Sequence, residues 1–126
     1  MKKSSKKKIS KIIDRARVYI KSSFNNAVLT ATDNDGNVFA WATSGGAGFK
    51  GAKKSTPYAA SVAAKVLIDK MKGHSTQEVE IIVSGISAGR DAAVRAFITS
   101  GFKIASIKDA TPIPHNGCRP KKVRRV

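Results

Sequence analysis

Between Trp41 and Met71 the chain passes from the alternation of a strand to the spacing of a helix, across a single glycine-rich basic loop. Val38 to Thr43 reads as a strand that stops at Ser44-Gly45-Gly46, and the loop continues as Ala47-Gly48-Phe49-Lys50-Gly51-Ala52-Lys53-Lys54-Ser55. Thr56 suits an N-cap, because its hydroxyl can accept from an otherwise unpaired amide of the first turn. Pro57 suits the first helical position, where its missing N–H costs nothing. The helix is predicted to run to Met71. Ser61, Lys65 and Asp69 fall at four-residue spacing on one solvated face, and almost all the rest is alanine or apolar. So wide an apolar face has to be buried against other elements.

The loop also has chemistry of its own. Glycines let a backbone approach a ligand closely, a helix start offers amides, and Lys50, Lys53 and Lys54 add charge. That combination favours a phosphate-bearing partner, with Gly48, Phe49 and Gly51 as further contact residues. A nucleotide-binding enzyme is the alternative, since Gly46-Ala47-Gly48-Phe49-Lys50-Gly51 has the GxGxxG form. A dinucleotide fold then wants an acidic residue about 20 positions on, at the end of the next strand, whereas Asp69 lies on the solvated face of the helix. A P-loop wants Gly-Lys-Ser/Thr opening its helix, and Gly51 is followed by Ala52.

The flanking segments fix the fold class. Arg17 to Ser22 alternates as a first strand. Ser23-Phe24-Asn25-Asn26 is a turn, Ala27 to Thr32 a second strand, and Asp33-Asn34-Asp35-Gly36-Asn37 a hairpin signal. Two consecutive hairpins make an antiparallel meander. After the first helix, Gly73 is a stop, and Glu78 to Ser84 is a fourth strand with Val79, Ile81 and Val83 facing one way. Gly85-Ile86-Ser87-Ala88-Gly89-Arg90 leads into a helix from about Asp91 to Ser100, with Val94, Phe97 and Ile98 towards the core. Gly101 ends it, and Phe102 to Ile107 is a fifth strand. Phe39, Phe97 and Phe102 have the pattern of core residues. Strands alternating with crossover helices imply parallel pairing in this half, so the fold is α/β with a mixed sheet of about five strands.

Charge then separates body from ends. The 126 residues hold 24 Lys plus Arg against 8 Asp plus Glu, a formal net charge of +16. Residues 1–17 contribute +7, and residues 109–126 contribute +4. Three parts follow: a disordered basic arm over 1–16, an α/β domain over 17–108 (RNA-binding by the resemblance given below), and an extended basic arm over 109–126. The prolines of the last segment forbid a helix or a central strand. A basic body with more basic ends is a footprint for nucleic acid, and neither end has the amphipathic pattern of a membrane-surface helix. No small-molecule substrate is indicated. A single cysteine, Cys118, excludes an internal disulfide and fits a reducing compartment. No apolar run has membrane-spanning length or follows the N-terminal lysines as a signal peptide requires, so a cytoplasmic protein is expected.

No catalytic constellation stands out. His115 and Cys118 have H-x-x-C spacing, but His74 is the only other histidine and there is no second cysteine to complete a zinc site. Asp33 and Asp35 suit the hairpin turn, and Glu78 and Glu80 a solvent-facing strand edge with ion pairs, better than a two-metal nuclease site. No metal or cofactor is expected. Gly85, Gly89 and Arg90 repeat the logic of the first loop: amides at a helix start and a guanidinium able to grip phosphate bidentately. Phe24 and Phe49 stand in loops where a base could stack, though loop aromatics also anchor loops, and there is no repeated aromatic platform.

Four runs carry a resemblance. Ser22-Ser23-Phe24-Asn25-Asn26, Trp41 through Gly51, Lys54-Ser55-Thr56-Pro57-Tyr58-Ala59-Ala60, and Asp109 through Pro120 closely resemble the small-subunit ribosomal protein eleven family, bacterial type, in its order and spacing. The resemblance covers nearly everything from Arg17 onward. It implies a three-layer, ribonuclease H-like α/β fold without catalytic carboxylates. It also implies a place on the small-subunit platform, against 16S-type ribosomal RNA and near the mRNA exit path. The seventh, eighteenth and twenty-first small-subunit proteins would be neighbours. The RNA-contacting set would be Phe24, Asn25, Asn26, the glycine loop with its lysines, Gly85, Gly89, Arg90, His115, Asn116, Gly117, Arg119, Lys121, Lys122, Arg124 and Arg125. One departure is visible: Ile86 and Ser87 stand where the family usually shows a proline and a second glycine. A general nucleic-acid compactor is the remaining alternative.

Overall fold

The computed structural model describes residues 12–51, 54 and 56–125. Most of the expected N-terminal arm lies outside these residues, as does Lys53. The elements are β1 (Arg15–Ser22), β2 (Ala27–Thr32), β3 (Val38–Thr43), α1 (Pro57–Lys72), β4 (Glu78–Gly85), α2 (Gly89–Thr99) and β5 (Lys103–Asp109). They form one sheet in the order β3-β2-β1-β4-β5. The meander β1-β2-β3 is antiparallel, and β4 and β5 add in parallel beyond β1. The mixed five-stranded α/β sheet with crossover helices is therefore present.

Both crossovers move the chain in the same direction across the sheet. Right-handed connections then place both helices on the same face. The burial agrees: Val18 and Ile20 of β1, Leu29 and Ala31 of β2, and Val79, Ile81 and Val83 of β4 all meet the helices in one core. Small residues bring the helices close. A Cβ on Gly89 would stand 2.9 Å from the Ala60 methyl of α1. The described residues place no helix over the opposite face of the sheet, where β1 shows Arg17, Tyr19 and Lys21.

Local chemistry accounts for the boundaries. Thr56 caps α1 by accepting from the Ala59 amide at 3.3 Å, with Pro57 next in the chain. The 33–37 hairpin closes on Asp33, whose carboxylate accepts from the amides of Asp35 and Asn37 at 3.0 and 2.9 Å. Asp33 and Asp35 therefore serve the turn. Glu78 and Glu80 pair with Arg15, Arg17 and Lys108, as expected of carboxylates among surplus cations, but on interior strand β4 and not at a sheet edge.

Three expectations shift. β1 starts at Arg15 and not Arg17, because the Asp14 carbonyl accepts from Gln77 and Glu78 and Ile13 is buried beside it. β5 reaches Asp109, because the Ala110 amide still donates to the Val83 carbonyl at 2.7 Å. Ile98 is 52% exposed instead of facing the core. The buried seam of α2 runs at four-residue spacing through Gly89, Ala93 and Phe97, and Ile98 lies one step of the helix outside it.

Candidate nucleic-acid interface

The strand ends gather the expected contact residues at one end of the sheet. Ser22, just before the Phe24 turn, pairs with Gly85. The Ser44 amide, opening the glycine loop, donates to the Ala27 carbonyl at 3.0 Å. Gly89 at the head of α2 lies against Ala60 and Thr56 at the head of α1. The C-terminal segment leaves from β5 at the same end. Four chain-distant segments thus meet beyond the carboxyl ends of β1, β3, β4 and β5, where open α/β sheets place ligands. At the other end lie Asp14, Asp33 and Asp35, together with Arg15 and Lys103.

The glycine loop works differently from an open amide nest. Gly46 N donates to Thr43 Oγ1 at 2.8 Å, Ala47 N to the Thr43 carbonyl at 3.0 Å, Gly48 N to Gly45, and Phe49 N to Ser44. These amides are committed inside the loop. Gly48 and Gly51 hold positive φ of 102° and 61°, which lets so tight a course close. Phe49 sets its ring edge-on to Tyr58, with centroids 5.7 Å apart, and so anchors the loop to α1. What the loop presents outward is side-chain charge: Lys50 is exposed, and the stem of Lys54 lies over Gly45.

The Phe24 turn is likewise closed from within. Ser23 Oγ accepts from the amides of Asn25 and Asn26, and Asn26 Oδ1 accepts from Ala27 N at 2.9 Å. That leaves Phe24, 79% exposed, and Asn25 pointing to solvent.

Arg90 is the residue whose surroundings sequence spacing could not show. Its guanidinium donates to Asp109 Oδ2 at 2.7 Å and to the Gly85 carbonyl at 3.1 Å. Thr111 completes the clasp, donating from its amide and hydroxyl to Asp109 Oδ1 while its hydroxyl accepts from Gly85 N at 3.3 Å. The Thr111 hydroxyl first, then Arg90, hold the Asp109 carboxyl at about 2, down from 3.8. The group is thus one that ties the 85–90 loop to the root of the C-terminal arm. α2 has no side-chain cap, and Asp91 sits in its first turn. Ile86 is exposed, and the Ser87 carbonyl accepts from Arg90 N at 3.3 Å, so the two departures are accommodated in the loop.

A pH experiment follows with a definite sign. The lowered pKa of Asp109 stabilises the fold above the ordinary carboxylate value, and that contribution is lost as pH falls from about 4 through about 2. Asp109→Asn should therefore lower Tm near neutrality, and its melting curve should converge with that of the parent near pH 2. A constant gap in Tm across the acid range would mean that Asp109 acts through shape and not through charge.

The remaining expected residues lie on the C-terminal segment. Residues 110–125 have no helix or strand, and His115, Asn116, Gly117, Arg119, Lys121, Lys122, Arg124 and Arg125 are all exposed. Asn116 holds a positive φ of 54°, turning the segment at Asn-Gly. Cys118 is a free, exposed thiol. Among the described residues no group of His, Cys, Asp and Glu could hold a metal ion, and no helix is long and apolar enough to cross a membrane.

Known proteins match this arrangement along nearly its whole length. The chain is 51% identical over 124 residues to the small ribosomal subunit protein uS11 of Francisella tularensis subsp. novicida, covering 98% of this chain and 96% of that protein. It is 50% identical over 123 residues to the uS11 of Borreliella burgdorferi, covering 98% and 95%. It is 52% identical over 120 residues to that of Hamiltonella defensa, covering 95% and 93%. The family model described as ribosomal protein S11 matches residues 16–125, from the first strand through the exposed basic segment. With sheet, loops and arm all included in that match, the chain belongs to the ribosomal protein S11 family.

Proposed function

We propose that the chain is a non-enzymatic structural component of the small ribosomal subunit that binds 16S-type ribosomal RNA. The observation that carries this is the family match reaching residue 125, through a segment with no packing of its own and five cations. Such a segment gains order by lying against phosphates. The strand-end surface complements it: Lys50 and Lys54 supply charge, and Phe24 and Asn25 supply a ring and an amide to unpaired nucleotides. The clasp of Arg90, Asp109 and Thr111 fixes the root of the arm at the same end of the sheet. The site is the platform, near the mRNA exit path, with the seventh, eighteenth and twenty-first small-subunit proteins as neighbours and the cytoplasm as compartment. The lysines of residues 1–11 add charge to the same task.

The nucleotide-enzyme alternative loses its support in the loop, whose amides donate to Thr43, Ser44 and Gly45. Sedimentation tests the proposal. The protein should remain with small subunits through a high-salt wash. Quantitative recovery in the free fraction, with equal retention on duplex DNA, would favour a general compactor instead.

A further inference from the structure

The face of the sheet opposite the helices carries an aromatic row that sequence order conceals. The strand registers align Trp41 with Thr30, Thr30 with Tyr19, Tyr19 with Ile82, and Ile82 with Lys108, so these side chains form one line across all five strands. Trp41 is 59% exposed and Tyr19 37%. Strand spacing sets the two rings about 10 Å apart, with the small Thr30 between them. Solvated faces of sheets ordinarily alternate polar residues outward, so two large rings in one row need a reason.

The surroundings indicate what such a row would meet. Arg15, Arg17, Lys21, Lys103 and Lys108 share this face by register, against Glu78 and Glu80. Lys70 reaches round the edge of the sheet from α1. Its Nζ donates to the Trp41 carbonyl at 2.9 Å and stands 5.6 Å from the ring centroid. That contact restrains the indole and places a further cation beside it. Around the rings the register sets the small hydroxyl side chains of Thr30, Thr43 and Ser84, with Val28 and Ile82 as the apolar neighbours. Excess positive charge, exposed rings and short hydrogen-bonding side chains suit stacked bases and their phosphates better than an apolar protein surface.

We propose that this uncovered face is a second RNA surface, separate from the strand ends, on which unpaired bases of a single-stranded segment stack on Trp41 and Tyr19. It rests on the RNA-binding function above and extends it to a platform at right angles to the strand-end surface. A body that offers RNA two faces can hold two segments of one folded RNA at a fixed angle.

Trp41 is the sole tryptophan, so its emission reports on this face alone. The full chain is titrated with end-labelled oligouridine while label anisotropy and Trp41 emission are followed together. Emission should be quenched by about half or more along the same curve as anisotropy rises. Tyr19→Leu, which keeps apolar bulk but removes the ring, should weaken binding about tenfold without changing the salt slope. Tyr19→Phe should bind like the parent. Rising anisotropy with unchanged emission and a neutral Tyr19→Leu would overturn the platform and leave RNA at the strand ends. No rise in anisotropy at all would overturn the RNA-binding function as well. Emission that shifts with protein concentration before any RNA is added would assign the face to a second copy of the chain, and quenching relieved by deleting residues 1–11 would assign it to that segment.

Discussion

Gly85→Ala should cost the fold about 3–5 kcal/mol, one of the largest effects of any single methyl group in this chain. Two causes add. Gly85 has φ +89, where an L side chain is strained by about 1–2 kcal/mol. Its added Cβ would stand 1.9 Å from the Ser22 carbonyl oxygen, which is backbone of the neighbouring strand and cannot rotate away. Either β1 and β4 part at their ends or the loop moves. The loop is not free to move, because Gly85 N takes the Thr111 hydroxyl as acceptor and its carbonyl accepts from Arg90. For a domain of this size the loss corresponds to a fall in Tm of roughly 10–20 °C. Gly36 supplies the control. Its φ is +90, yet nothing lies within 4 Å of the position its Cβ would take. Gly36→Ala should therefore cost only the backbone strain, about 1–2 kcal/mol. Equal melting points for the two variants would show that the strand ends give way and that close approach at Ser22 is unimportant.

That contrast shows where sequence was sufficient and where it was not. Local signals were legible because their causes are local. Thr56-Pro57 opens α1 as expected, Asp33 closes its hairpin, and the alternation of Val79, Ile81 and Val83 marks the buried face of β4. The order of antiparallel and parallel pairing follows from turn lengths and crossovers.

Relations between distant segments were not legible. Arg90 and Asp109 are 19 residues apart, and nothing at either position announces that they bond. The glycine loop was expected to keep its amides for a ligand. Whether it does depends on Thr43 Oγ1 and the Thr43 carbonyl turning inward, a matter of three-dimensional closure. Trp41 and Tyr19 look unrelated in the chain, and only register sets them in one row. The misplacement of Ile98 has the same origin, since helical spacing admits several apolar faces and only the contact with α1 selects the one through Gly89 and Phe97.

Cutting the chain after Cys118 should separate folding from RNA binding more sharply than any point substitution. The removed segment carries Arg119, Lys121, Lys122, Arg124 and Arg125, with only Val123 and Val126 as apolar residues beside Pro120. Two valines fully buried would contribute at most about 3–6 kcal/mol. Val123 is 87% exposed, and residues 119–125 are all exposed, so the stability actually at stake is within about 0.5 kcal/mol. The clasp that fixes the root of the arm, Arg90 with Asp109 and Thr111, lies entirely before the cut. The truncated protein should keep its circular dichroism and melt within a few degrees of the full chain. Binding is another matter. Each phosphate neutralised contributes about 0.7–0.9 to the log–log dependence of affinity on salt, values for single strands and B-DNA that serve as a scale for folded RNA. Five cations on one short arm make up a large part of the net +16. If most of them meet phosphates, the slope should flatten by about 3 and affinity at moderate salt should fall on the order of a hundredfold. Entry into small subunits should fall with it. An unchanged salt slope would place the arm away from phosphates and leave Lys50, Lys54 and the sheet face to account for RNA binding. A collapse in melting temperature would mean that the arm packs as part of the body, against the exposure of every residue from Arg119 to Arg125.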